Sequence, residues 1–247
     1  MDTARLGIQN ATPVIDFHTH IVPPDVIARR QEYLARDAWF GKLYENPKAE
    51  LATAEMLIAS MDRAGIDASV VFGFSWADDG LLRTNNDYVL DAMSRHPDRL
   101  IGFACINPLD GGAATREIER CAARGIRGLG ELMPDGQGYA LDDIDLLTPI
   151  VQAARHHRLI LLTHTSEPLG HTYPGKGHTT PDQIVRFAQH FPDVKLVCAH
   201  WGGGLPFYEL MPELMLVLRN VYYDTAAGHY LYRDKILDLA MGLMPHK

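Results

Sequence analysis

Residues 13–24, PVIDFHTHIVPP, place two histidines one residue apart near the end of an apolar run. Imidazole nitrogen is a natural ligand for Zn²⁺ and similar divalent ions. Side chains on a β-strand alternate between faces. Val14, Asp16, His18 and His20 are therefore expected on one face, and Ile15, Phe17 and Thr19 on the other. Two imidazoles roughly 7 Å apart along a strand can converge on one ion. The 247 residues hold 12 histidines, so one His-x-His pair is weak evidence by itself.

Its weight depends on the elements that carry it. Down the chain, short apolar runs such as DASVVFGF, LIGFACINP, IRGLGEL, RLILLTH, VKLVCAH and NVYYDTA alternate with segments of helical periodicity. Thr53 and Gly65 bracket one helix, Pro97 stops another, and Thr180–Pro181 open a third. PFYELMPELMLVLR reads as one more helix. Seven strands, each followed by a helix and without a linker, predict a single α/β domain over 1–247 with parallel strands and right-handed crossovers. No glycine-rich nucleotide motif follows a strand, so a TIM-type (β/α)8 barrel is expected, at about the usual ~250 residues. Residues 22–52 are expected to form a partly helical lid. A barrel of this type reacts at the C-terminal ends of its strands. There stand His18 and His20 (first strand), Glu131 (fourth), His164 (fifth) and His200 (sixth). Five metal-competent side chains at one rim make a metal cage the expected site.

The segments DFHTH, HTS and AHWGGG, in that order on strands one, five and six, resemble the amidohydrolase superfamily. More narrowly they resemble the amidohydrolase-related metal-dependent hydrolases that include the aminocarboxymuconate-semialdehyde decarboxylase group. The resemblance spans nearly the whole chain. It implies that His18, His20 and His164 bind metal and that His200 binds a second ion or polarises the reacting group. Glu131 would stand where some relatives bridge two ions, so one or two ions are expected. Zinc is the first expectation, with manganese, iron or cobalt as alternatives. The family also uses a strand-eight aspartate. MGLMPHK stands where that strand should begin, and the barrel is expected to lack it or be truncated before it. Asp224, at the end of strand seven, is the candidate stand-in, against a plainer role as a cap or turn residue. The implied activity is hydrolysis of a small amide, lactone or ring carboxylate by metal-activated water. Non-oxidative decarboxylation is the alternative, and a catalytically inactive metal-binding homologue is the rival from another class.

A net charge of −8 without a Lys/Arg cluster argues against nucleic acid or an anionic membrane as partner, leaving a small-molecule substrate. Open strand edges make a homo-oligomer the companion expectation. Three dispersed cysteines suggest reduced thiols, and MDTARLGIQNATP lacks the apolar core of a signal peptide, so a cytoplasmic location is expected. Trp76 and Arg83, in a loop expected after strand two, are candidates for binding an aromatic or acidic substrate. The loop SEPLGHTYPGKGH offers Glu167, Tyr173 and Lys176, with His171 and His178 as its main substrate-binding candidates. Gly202, Gly203 and Gly204 suit an anion contact or a tight turn. His96, His156, His157, His190 and His246 are expected in helix-end or surface roles, and His229 stays unassigned.

Overall fold

A computed structural model describes residues 13–244; residues 1–12 and His246, both read above, lie outside the described residues. The strands are β1 (Ile15–His20), β2 (Ala68–Phe72), β3 (Leu100–Ala104), β4 (Gly128–Leu132), β5 (Ile160–Thr163), β6 (Leu196–Cys198) and β7 (Val221–Tyr223). Each pairs in parallel with the next, giving one seven-stranded sheet in chain order. The helices are α1 (Pro24–Ala28), α2 (Arg30–Arg36), α3 (Ala38–Tyr44), α4 (Ala54–Ala64), α5 (Asp79–Arg95), α6 (Gly112–Ala122), α7 (Pro134–Gln137), α8 (Ile144–His157), α9 (Pro181–His190), α10 (Pro212–Met215), α11 (Gly228–Leu231) and α12 (Ile236–Leu243). This is the α/β, TIM-like fold, a curled half-barrel in which α1–α3 supply the expected lid.

Strand alternation sorts the core into two layers. Val70, Phe72, Phe103, Leu162 and Val197 pack inside the curl. Leu129, Leu161 and Leu196 face outward onto Ile118 of α6, Ile150 and Val151 of α8 and Phe187 of α9. The expected helix ends hold at α4, where Thr53 accepts from the Met56 N–H and Gly65 closes in the left-handed region. At α9 Thr180 occupies the cap position, but its hydroxyl bonds the Asp182 side chain instead of capping.

Two stretches depart from expectation. The segment after β2 is a loop only over 73–78 and is helical by Arg83, because Asp78 caps α5 by accepting from the Leu81 N–H at 2.9 Å. The helix expected over PFYELMPELMLVLR is reduced to 3₁₀ turns and the four residues of α10. A run of positive φ over residues 200–204 precedes it, and Pro206 and Pro212 each withhold an N–H from a helix there. None of the three cysteines forms a disulfide. Among the described residues no helix is long and apolar enough to cross a membrane.

Candidate metal centre

Both strands that carry the central ligands are bulged at those ligands. Ile15 and Asp16 pair with Ala68 and Ser69, but Thr19 and His20 pair with Val71 and Phe72, so Phe17 and His18 together oppose Val70. The extra residue resets the alternation. Ile15 and Phe17 pack inside the curl, Phe17 edge-on to Phe103, and His18 and His20 also turn inward against Phe72. Asp16 is left exposed, so the flat-strand expectation that it shares a face with the histidines does not hold. On β4 the register shifts between Leu129 and Leu132, across Gly130–Glu131. Gly130 has φ of 139°, and a Cβ there would lie 2.3 Å from the Leu162 carbonyl oxygen. Only glycine fits, and its bulge turns Glu131 into the curl.

Glu131 is 2 % exposed and central to the site. Its Oε2 lies 3.4 Å from His20 Nε2 and 3.8 Å from His18 Nε2. Its Oε1 lies 3.1 Å from His164 Nδ1 and 3.7 Å from His200 Nε2. Two trios, His18/His20/Glu131 and Glu131/His164/His200, thus share one carboxylate, with donor atoms in each lying within 4.8 Å of one another. The far nitrogen of each imidazole is tied down: His20 Nδ1 donates to the Gly73 carbonyl (3.0 Å), His164 Nε2 to Gly175 (2.8 Å) and His200 Nδ1 to Ala226 (2.9 Å). A carbonyl accepts only, so these bonds fix the far nitrogens as donors and point the near nitrogens at the centre. Each offers a lone pair there once deprotonated, including His164 Nδ1, which donates to Glu131 Oε1 at 3.1 Å. Such outer partners orient metal-binding histidines. The donor set therefore fits a divalent cation, one per trio at most.

Asp224 joins the ends of the sheet. Its Oδ2 accepts from His18 Nδ1 at 2.7 Å, so the residue after β7 meets β1 at the rim. Its Oδ1 accepts from the N–H groups of His200 and Ala226, each at 3.0 Å. It is a turn residue, and it also orients the His18 ring. Burial opposes its charge, but His18 outweighs burial and holds the carboxyl below its ordinary value. The same balance, burial against the carboxylates of Asp224 and then Glu131, raises His18 to about 9 in the metal-free protein. Glu131 is held well below its usual range, chiefly by His18, against its burial. His200 falls to about 4, through burial and then the neighbouring His164. At neutral pH His200 is therefore a ligand or acceptor and not an acid.

A cavity of about 540 Å³ opens onto this cluster. Of the candidates from the loop after β5, His171 and Tyr173 line it. Trp76 does not: it is 1 % exposed, packed on Phe40 and Phe74, with Nε1 donating to Asn85. Arg83 lies on the exposed face of α5, because the helix begins before it. His178 points to solvent and pairs with Asp135 at 2.6 Å, also away from the cavity lining. His156, His157 and His190 sit in last helical turns, His96 follows the end of α5, and His229 is exposed on α11. The glycine run forms the tight turn of its two alternatives, with His200 and Trp201 also at positive φ. The sequence reading missed the lining residues Leu43, Tyr44, Phe74, Met133 and Tyr230. Nothing in their spacing marks them, since they come from the lid, separate loops and α11.

The amidohydrolase family model matches residues 15–241, and the chain belongs to that family. It is 21 % identical over 286 residues to a 2-amino-3-carboxymuconate-6-semialdehyde decarboxylase of Dictyostelium discoideum, covering 94 % of this chain and 79 % of that one. Its fold is similar to 5-carboxyvanillate decarboxylase from Sphingomonas paucimobilis, with a TM-score of 0.73, 19 % identity and coverage of 94 % and 85 %. It is also similar to 5-carboxyvanillate decarboxylase from Novosphingobium aromaticivorans, complexed with manganese and 4-hydroxy-3-methoxy-5-nitrobenzoic acid. There the TM-score is 0.69, with 22 % identity and coverage of 95 % and 82 %.

Proposed function

We propose that the protein is a metal-dependent, non-oxidative decarboxylase of a small ring carboxylate. The observation that carries the metal dependence is the pair of trios sharing Glu131, each imidazole oriented by an outer partner. His18, His20 and His164 would hold the ion with Glu131, and His200 would serve as a second-site ligand or as an acceptor toward the substrate. The names of the relatives favour decarboxylation over the hydrolysis expected first, and manganese in one of them favours that alternative to zinc. When bound, a divalent ion supplies Lewis-acid polarisation of a carboxylate or carbonyl oxygen. Asp224 keeps His18 Nε2 aimed at the centre. Tyr44, Phe74, Tyr173 and Tyr230 give the cavity aromatic walls suited to a flat ring.

The test is carbon dioxide release from 2,6-dihydroxybenzoate, 5-carboxyvanillate and related ring acids by manganese- or zinc-loaded protein. The expected result is stoichiometric carbon dioxide that disappears in His164→Ala. Hydrolysis remains the second reading, because a carboxylate facing two trios also suits activation of water. Opening of lactones or amides without carbon dioxide would select it.

A further inference from the structure

His178 does not reach the cavity, and its contacts give it another task. It belongs to the long loop between β5 and α9, residues 164–180. That loop carries His171, Tyr173 and Pro174 into the cavity wall and presents the Gly175 carbonyl to His164 Nε2 at 2.8 Å. Its two ends are joined at the base. The Ser166 N–H donates to the Thr179 carbonyl and the Gly177 N–H to Ser166 Oγ, each at 2.9 Å.

One carboxylate from outside the loop pins it down. Asp135, in the first turn of α7, accepts from the His178 N–H through both oxygens, at 2.9 and 2.8 Å. Its Oδ1 also accepts from His178 Nδ1 at 2.6 Å, and the Thr179 hydroxyl reaches Oδ2 at 3.4 Å. Gly177 lies against the same group, where a Cβ would stand 2.1 Å from Oδ2. Burial opposes the charge of Asp135, but the bonds from His178 outweigh burial and hold the carboxyl below its ordinary value. Charge-assisted hydrogen bonds of this kind are among the stronger ones.

Holding a connection this long in one shape costs conformational entropy, so the place of the Gly175 carbonyl depends on what pins the segment. Outer acceptors orient metal-binding imidazoles, and for His164 that acceptor is Gly175. We propose that Asp135 and His178 form a latch that fixes the His164 ring through the Gly175 carbonyl, and with it metal affinity, so that Asp135 is a positioning residue of the centre. The effect on metal rests on the metal-dependent reading, whereas the effect on the His164 ring does not. The test reads both.

In metal-free protein the His164 ring N–H held by Gly175 should give a slowly exchanging downfield proton resonance, assigned by its loss in His164→Ala. Asp135→Asn keeps the shape but sets an amide N–H against the His178 donors, and it should lose that resonance, as should Asp135→Ala. In calorimetric titration with zinc, either variant should bind about tenfold or more weakly than the parent. His178→Ala, which alters an exposed side chain and keeps the backbone bonds, should bind about threefold more weakly. A latch that served the loop alone would lower the melting temperature and leave both readouts at parent values. Either readout unchanged in a folded Asp135 variant, or zinc affinity unchanged in His178→Ala, would overturn the proposal. A parent that takes up no zinc would instead contradict the metal-dependent reading, and the resonance would then decide the latch by itself.

Discussion

In the proposed metal centre, protons and a cation would share the same nitrogens. His18 sits between Asp224 and Glu131, and its pKa near 9 places a proton on it at neutral pH in the metal-free protein. A group whose pKa rises on folding stabilises fully below its unfolded value, here about 6.5, and loses that contribution as pH climbs through the folded value. Metal-free protein should therefore lose up to roughly 3 kcal/mol of stability between pH 6.5 and 9, read from urea midpoints. A metal must displace that proton. Titration with zinc at pH 7.5 should release close to one proton from His18, seen as a dependence of the calorimetric heat on buffer ionisation enthalpy. Heats independent of buffer would remove His18 from the ligand set. Asp224 acts one bond further out. Asp224→Asn keeps the shape but loses the charge, and should weaken metal binding about 10- to 100-fold while the circular dichroism is retained. Unchanged affinity would reduce Asp224 to its turn role.

The elements were largely legible in the sequence, and their local distortions were not. All seven strands and their order follow from the alternation of apolar runs and helical segments. So do the rim positions of His18, His20, Glu131, His164 and His200, because a barrel strand's end is visible as the end of an apolar run. The bulges on β1 and β4 escaped, since a one-residue insertion depends on the partner strand's register. GLGEL did carry a signal, a glycine inside a strand. Arg83 was misplaced for a related reason: the Asp78 cap that starts α5 was not recognised, so the first turns of a helix were taken as a loop. Trp76 does lie in the loop before it, but is buried against Phe40 and Phe74. The left-handed run at 200–204 is the other distortion that builds the site. It sets His200 on Ala226 and Asp224, and it brings Gly203 so close that a Cβ would lie 2.3 Å from the Ser166 carbonyl oxygen. Gly203→Ala and Gly130→Ala should each destabilise by about 2 kcal/mol or more and disturb metal affinity. Thermal melts within a degree of the parent would show that neither position is constrained as the geometry requires.

At the scale of the whole molecule the proposed metal centre would also be a fastener. Its candidate ligands come from β1, β4 and the ends of β5 and β6, and Asp224 after β7 closes the circle onto His18. A cation bound there would tie β1 to β4, β5 and β6, which it meets only through the curl of the sheet. Saturating metal at about 1,000 times its dissociation constant adds roughly 4 kcal/mol, which for a chain of this size corresponds to about 8–16 °C in melting temperature. Stripping the metal with a chelator should lower the melting temperature by that order, and restoring it should reverse the loss. Backbone carbonyls from Gly73, Gly175 and Ala226 complete the fastening, and no side-chain pattern could have announced them. The most direct single measurement is the metal content of the purified protein by mass spectrometry after loosely held ions are removed. Comparison with His18→Ala and His164→Ala completes it. The geometry predicts one or two divalent ions per chain in the parent and a substoichiometric amount in each folded variant. A folded parent that takes up no divalent ion, or variants that keep the full complement, would contradict it.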